Sequence, residues 1–177
     1  HRIKTLSAFV VLLLLHSELH ELAHVLPGAA ICGSFGQRDF NAWSLSEGCT
    51  SIVPTVLGPL FTFSVAFLAA WISRHLPPSQ TKRVLLVLAS TTLLGRVFTA
   101  VLGGGDELQV MRHVSSPALL PHAQAVTVFA LAALSLWPAL VAYRALDRRL
   151  GRLLLWSVAP FLFLVAFVLL GANSLLQ

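Results

Sequence analysis

His20-Glu21-Leu22-Ala23-His24 is the segment of this chain best equipped for chemistry. On a helix, two histidines four residues apart lie one turn apart on the same face, so both imidazoles can reach one metal ion. Nitrogen donors at about 2.0–2.1 Å suit Zn²⁺. Glu21 is rotated by about 100° from His20, so it stands beside such an ion without being a ligand. Zinc lowers the pKa of a bound water towards about 7, and a carboxylate in that place can take the proton. The chain's own His and Glu content predicts about 0.006 chance matches to H-E-x-x-H, so coincidence accounts for it poorly. His16 continues the row of histidines four apart. His16 could thus be a third ligand, but three such rings spread over about 12 Å of helix, which one ion could bridge only with strain. His16 and Glu18 are therefore read as hydrogen-bonding neighbours or as the wall of a polar cavity.

These groups sit in a chain that otherwise avoids polarity. Of its 177 residues 56% are hydrophobic and 11% are charged, against about a quarter charged in soluble domains. Mean hydropathy is +0.82. That excludes an ordinary soluble domain, a disordered chain and a coiled coil. The net charge of +5 lies in short pieces between apolar runs rather than on one polar face, so a nucleic-acid partner is not expected and a lipid bilayer is. Five runs stand out, over 5–26, 53–73, 84–102, 122–143 and 153–172. Each approaches the roughly 20 apolar residues that cross a bilayer, and none alternates as a barrel strand would. The expectation is an all-α integral membrane protein, a single membrane domain over 1–177. It is a bundle of about five transmembrane helices with the zinc site inside the membrane. Pro27-Gly28 is expected to end the first helix, and Pro138 to kink the fourth. No cleavable signal peptide is evident, and a chain opening on His is expected to have been trimmed at its start.

Charge suggests the orientation. Arg2, Lys4, Arg74, Lys82, Arg83, Arg144, Arg148, Arg149 and Arg152 fall on the side of the N-terminus, and Arg38 and Arg112 on the other. The positive-inside rule then places the N-terminus in the cytoplasm of a multi-pass protein. A catalytic zinc needs a third protein ligand and an open position. The third run travels in the same direction as the first and ends at Gly103-Gly104-Gly105-Asp106-Glu107. Asp106 thus returns to the side where the motif lies. It is the expected third ligand, with Glu107, His113 and His122 as alternatives on that side. Capping of a short helix is the bland role for Asp106 and Glu107.

Taken together, these residues resemble the site-2 protease family of intramembrane zinc metalloproteases. The likeness spans about residues 16–110. It rests on H-E-x-x-H inside a span, then a Gly-Pro element at Gly58-Pro59-Leu60-Phe61-Thr62, then Gly105-Asp106 at a helix break. The resemblance implies His20, His24 and Asp106 as ligands of one zinc per chain and Glu21 as catalytic base. It implies cleavage of a membrane-protein or peptide substrate in or near a transmembrane segment, often after an earlier cut. Thr62 stands where the family has Asn. Gly-Gly-Gly-Asp-Glu replaces the family's usual sequence around its Asp, and no PDZ segment is present. The family keeps its zinc nearer the cytoplasmic face, whereas the charge count puts this site nearer the outer face.

Rival chemistries fit less well. A zinc or other divalent-metal transporter is expected to carry ligands on a second span, and the second and fourth runs lack acids. A two-iron oxygenase needs further His clusters, while His75, His113 and His122 are scattered. A silent, partner-holding relative would not need Glu21. Another membrane-embedded zinc hydrolase would share the same chemistry. Arg96, inside the third run, is read as partner to Glu18, as orienting a carbonyl, or as an ordinary ion pair. Cys32 and Cys49 share one connection and would form a disulfide if it faces an oxidising compartment. That connection would be a rigid lid, or would offer a strand edge to substrate. Trp43, Trp71, Trp137 and Trp156 are read as interfacial or packing residues.

Overall fold

The computed structural model describes residues 2–37 and 43–145, with scattered positions between 151 and 166. Most of the fifth run, expected over 153–172, lies outside the described residues. The described part is helical: α1 (Arg2–Cys32), α2 (Val53–His75), α3 (Gln80–Val101), α4 (Asp106–Val114) and α5 (Ala123–Ala145), with a 3-10 turn at Leu120–His122 before α5. α1, α2, α3 and the Leu120–Ala145 stretch are each long and apolar enough to cross a membrane. α4 is short and amphipathic, with only Leu108 fully buried.

The first helix does not stop at Pro27-Gly28 as the sequence suggested. It runs 31 residues, through Pro27, to Cys32. Proline costs one backbone bond but is tolerated in membrane helices, where neighbouring helices reorganise around it. α2 and α5 likewise run through Pro59 and Pro138. The actual stop for α1 is Gly33, whose φ of +76° suits only glycine. Its N–H bonds back to Ala29 O at 2.9 Å. At the opposite end of the bundle, α3 begins with a side-chain cap: Ser79 Oγ accepts from Lys82 N at 3.2 Å.

Packing follows membrane rules. α2 buries Pro54, Thr55, Gly58, Pro59, Thr62, Ala66, Ala69, Ala70 and Ser73, every one a small residue or a proline. α5 buries Ala123, Thr127, Leu131, Ser135, Pro138 and Ala142, one stripe spaced by three or four. Small side chains let backbones approach closely where no hydrophobic drive separates protein from lipid. Their hydroxyls are satisfied within the helix: Ser73 Oγ donates to Ala69 O at 2.6 Å and Ser135 Oγ to Leu131 O at 2.7 Å. Large apolar side chains face outward instead, among them Val11, Leu15, Trp71, Phe129 and Leu136. Phe129 is 77% exposed, which suits lipid and not water.

α3 is the most enclosed span and packs against α2 and α5, while α2 also contacts α1 and α4. On α1 the buried face runs Phe9, Leu13, His16, His20, His24. Phe9 and Leu13 pack on Val87 and Leu88 of α3. The apolar half of this stripe anchors α1, so its polar half is presented to the start of α2 and to the α3–α4 junction.

Candidate metal centre

Three chain segments meet at one end of the bundle: the second half of α1, the first turns of α2 and the break between α3 and α4. The break is made by glycines. Gly103 and Gly105 have φ of +82° and +92°, a region that side chains with a Cβ rarely enter. They fold the chain back so that α4 starts at Asp106, against the end of α3.

His20 and His24 are oriented by α2. His24 Nδ1 donates to Pro54 O at 2.7 Å. His20 Nδ1 lies 3.0 Å from Gly58 O and 2.8 Å from Thr62 Oγ1. A carbonyl oxygen only accepts, so both rings carry their proton on Nδ1 and keep a lone pair on Nε2. These two Nε2 atoms face one another at 3.2 Å. Asp106 Oδ2 completes the triangle at 3.2 Å from His20 Nε2 and 3.5 Å from His24 Nε2. His24 is wholly buried, and His20 and Glu21 are each 7% exposed.

Three electron-pair donors converge here in a buried place, with Arg96 donating to one side of the group, an arrangement that a shared metal ion would stabilise. The donor set, two imidazoles and a carboxylate, is one that zinc takes at catalytic sites. Bonds of about 2.0–2.1 Å at tetrahedral angles require donors about 3.3 Å apart, matching the observed edges. Among the described residues, this is the group of His, Cys, Asp or Glu whose ligand atoms converge within 4.8 Å. The residues present therefore fit a metal ion.

Of the candidates for third ligand, the structure brings Asp106 to the two histidines. Asp106 is the first residue of α4, and Gly105 occupies the capping position without a side-chain bond. Glu107 turns to Arg96, while His113 and His122 are exposed. Arg96 finds its partners on α4. Its Nε donates to Glu107 Oε1 at 2.7 Å and its Nη2 to Glu107 Oε2 at 2.7 Å, a bidentate fork. Nη2 also donates to Asp106 Oδ2. Burial by itself would raise the Asp106 carboxyl. The positive charge of Arg96 beside it opposes that effect and favours the ionised form.

Several neighbours gain roles that their residue types did not announce. Gly58 leaves room for the His24 ring, because a Cβ there would collide with three of its atoms. Its carbonyl, with Thr62, fixes His20, so the Gly-Pro element belongs to the site rather than merely to α2. Trp43, read as an interfacial or packing residue, stacks on the His24 ring with centroids 4.5 Å apart and planes 14° from parallel. The signal for it lay in the two cysteines that bracket its loop: Cys32 and Cys49 form a disulfide. The disulfide joins the two ends of this connection, and Trp43 from it covers one face of the His24 ring. Among its described residues the secondary structure is an isolated bridge at Trp43 rather than a strand. His16 stands apart from the cluster, stacked on Phe61 at 5.6 Å, as a cavity-wall residue would. No family model, curated protein or solved structure matches this chain.

Proposed function

We propose that this chain is an intramembrane zinc metalloprotease that hydrolyses a peptide bond in or near a transmembrane segment of a membrane-protein substrate. One observation carries the reading. Two histidine Nε2 atoms and Asp106 Oδ2 converge at 3.2–3.5 Å while both Nδ1 atoms are engaged with backbone carbonyls. The order of the elements, H-E-x-x-H, Gly58-Pro59 and Gly105-Asp106, supports kinship with the site-2 protease design.

His20, His24 and Asp106 would hold one zinc ion. Bound there, the ion would supply a water of lowered pKa and would polarise the scissile carbonyl. Glu21, buried beside His20, takes a proton from the attacking water and passes it to the leaving amine. Pro54, Gly58 and Thr62 fix the two rings so that the ligand lone pairs need no reorganisation. Trp43, stacked on His24, shields that face of the site from bulk solvent.

The disulfide also bears on location. It lies at the metal-centre end of the bundle, opposite the end that holds the N-terminus and the Arg74–Arg83 connection. Disulfides persist in oxidising compartments and basic connections stay in the cytoplasm. Both point to a cytoplasmic N-terminus and a centre nearer the outer face.

The decisive test is metal content of the purified chain against His20→Ala and Asp106→Ala. One zinc per chain, lost in both variants, is the expected result. Zinc kept by Asp106→Ala would move the third ligand elsewhere, and a wild-type chain that takes up no zinc would overturn the assignment.

A further inference from the structure

We infer that Arg96 is a substrate-binding residue of this centre, its Nη1 donating to the carbonyl oxygen of the peptide being cleaved, with Glu107 as the residue that positions it. The inference rests on the metalloprotease reading above. A guanidinium has five N–H donors in a rigid fork. Nε–H and the two hydrogens of Nη2 are engaged by Glu107 and Asp106. What remains is Nη1, which points into the cluster and lies 3.4 Å from His20 Nε2. That nitrogen lone pair is the one a metal ion would take. Once it is taken, Nη1 loses its acceptor, yet the Glu107 fork still holds the guanidinium in place. A fixed cationic donor is then aimed at the ligand atoms, in a site where the Arg96 side chain is only 17% exposed.

An acceptor oxygen entering this centre completes the arrangement. During peptide hydrolysis the carbonyl oxygen gathers negative charge, and a donor already in place stabilises that charge without reorganising. Asp106 and Glu107 follow one another in sequence, so one turn of α4 supplies both a metal ligand and the anchor for the oxyanion donor. Removing a donor of this kind lowers kcat by about 10²–10³-fold.

The test uses acetohydroxamate, whose carbonyl oxygen mimics the peptide's, titrated into the cobalt-substituted full chain and followed by the visible absorption of the metal. Imidazole, which binds a metal but offers no oxygen, is the control ligand. Arg96→Gln should retain the metal and imidazole binding but weaken acetohydroxamate by about 10- to 100-fold, the range for a charge-assisted hydrogen bond. Arg96→Lys keeps the charge without the fork and should fall between. Glu107→Gln should weaken the same probe. Unchanged acetohydroxamate affinity in metal-loaded Arg96→Gln would overturn the inference. Loss of metal from both Arg96 variants would also overturn it, leaving Arg96 as a support for Asp106 alone. A wild-type chain without metal would instead overturn the metalloprotease reading itself.

Discussion

Gly58→Ala separates what helix propensity predicts from what the site requires. Gly58 lies inside α2, where alanine is normally favoured over glycine by roughly 0.5–1 kcal/mol. On that basis the variant should be more stable. The structure predicts the opposite for metal binding. A Cβ at Gly58 would stand 2.7 Å from His24 Cδ2, with Nε2 and Cε1 nearer still, against an ordinary contact of 3.4 Å or more. The ring must therefore retreat by at least about 0.7 Å, well beyond the roughly 0.2 Å that a metal–ligand bond tolerates. It has little room to do so, being wholly buried, stacked on Trp43 and bonded through Nδ1 to Pro54 O. Disturbing a residue behind a ligand typically costs 10–100-fold in metal affinity. Displacing the ligand itself should reach at least the upper end, about 100-fold or 2.8 kcal/mol. The assay is zinc stoichiometry of the detergent-purified chain, with affinity from competition against a chromophoric chelator. Gly28→Ala is the control, because a Cβ there meets Leu45 and Pro54 at 3.4–3.8 Å, in ordinary contact. Wild-type zinc affinity in Gly58→Ala would refute the reasoning.

Glu21→Gln should keep the zinc and the helical content but abolish peptide hydrolysis; activity retained in that variant would remove Glu21 as the base. Replacing both Cys32 and Cys49 by Ser opens a loop spanning 17 residues, worth about 3 kcal/mol in the chain-entropy account. The melting midpoint should fall accordingly, and an unchanged midpoint would mean that other contacts hold the loop. Ser79→Ala removes the side-chain cap of α3 and should cost about 1 kcal/mol of stability with no change in zinc content. A zinc deficit there would show the two ends of the bundle to be more tightly coupled than their packing implies.

Four apolar spans and their order were legible in the residues alone. Apolar runs of near-spanning length are a local property, so four of the expected helices were legible without coordinates. So were His20 and His24, because a four-residue spacing on a helix fixes a shared face. Asp106 was reachable through topology: a helix that returns to the same side carries its last residues to the depth of the motif. Helix ends were less legible. Pro27 reads as a stop, but its cost depends on neighbours that only packing supplies, and the left-handed Gly33 ends α1 instead.

Tertiary structure alone decided the rest. Which of Asp106, Glu107, His113 and His122 reaches the histidines depends on the sharp turn at Gly103–Gly105 and on Arg96 holding both acids in a fork. Neither the tautomer of each imidazole nor the place of Trp43 is written in residue type. They follow from carbonyls at Pro54 and Gly58 and from a loop tied by a disulfide. Spacing along one helix can align two ligands, but a third comes from a distant segment. Its position is set by the small-residue seams that bring α1, α2 and the α3–α4 break to one point.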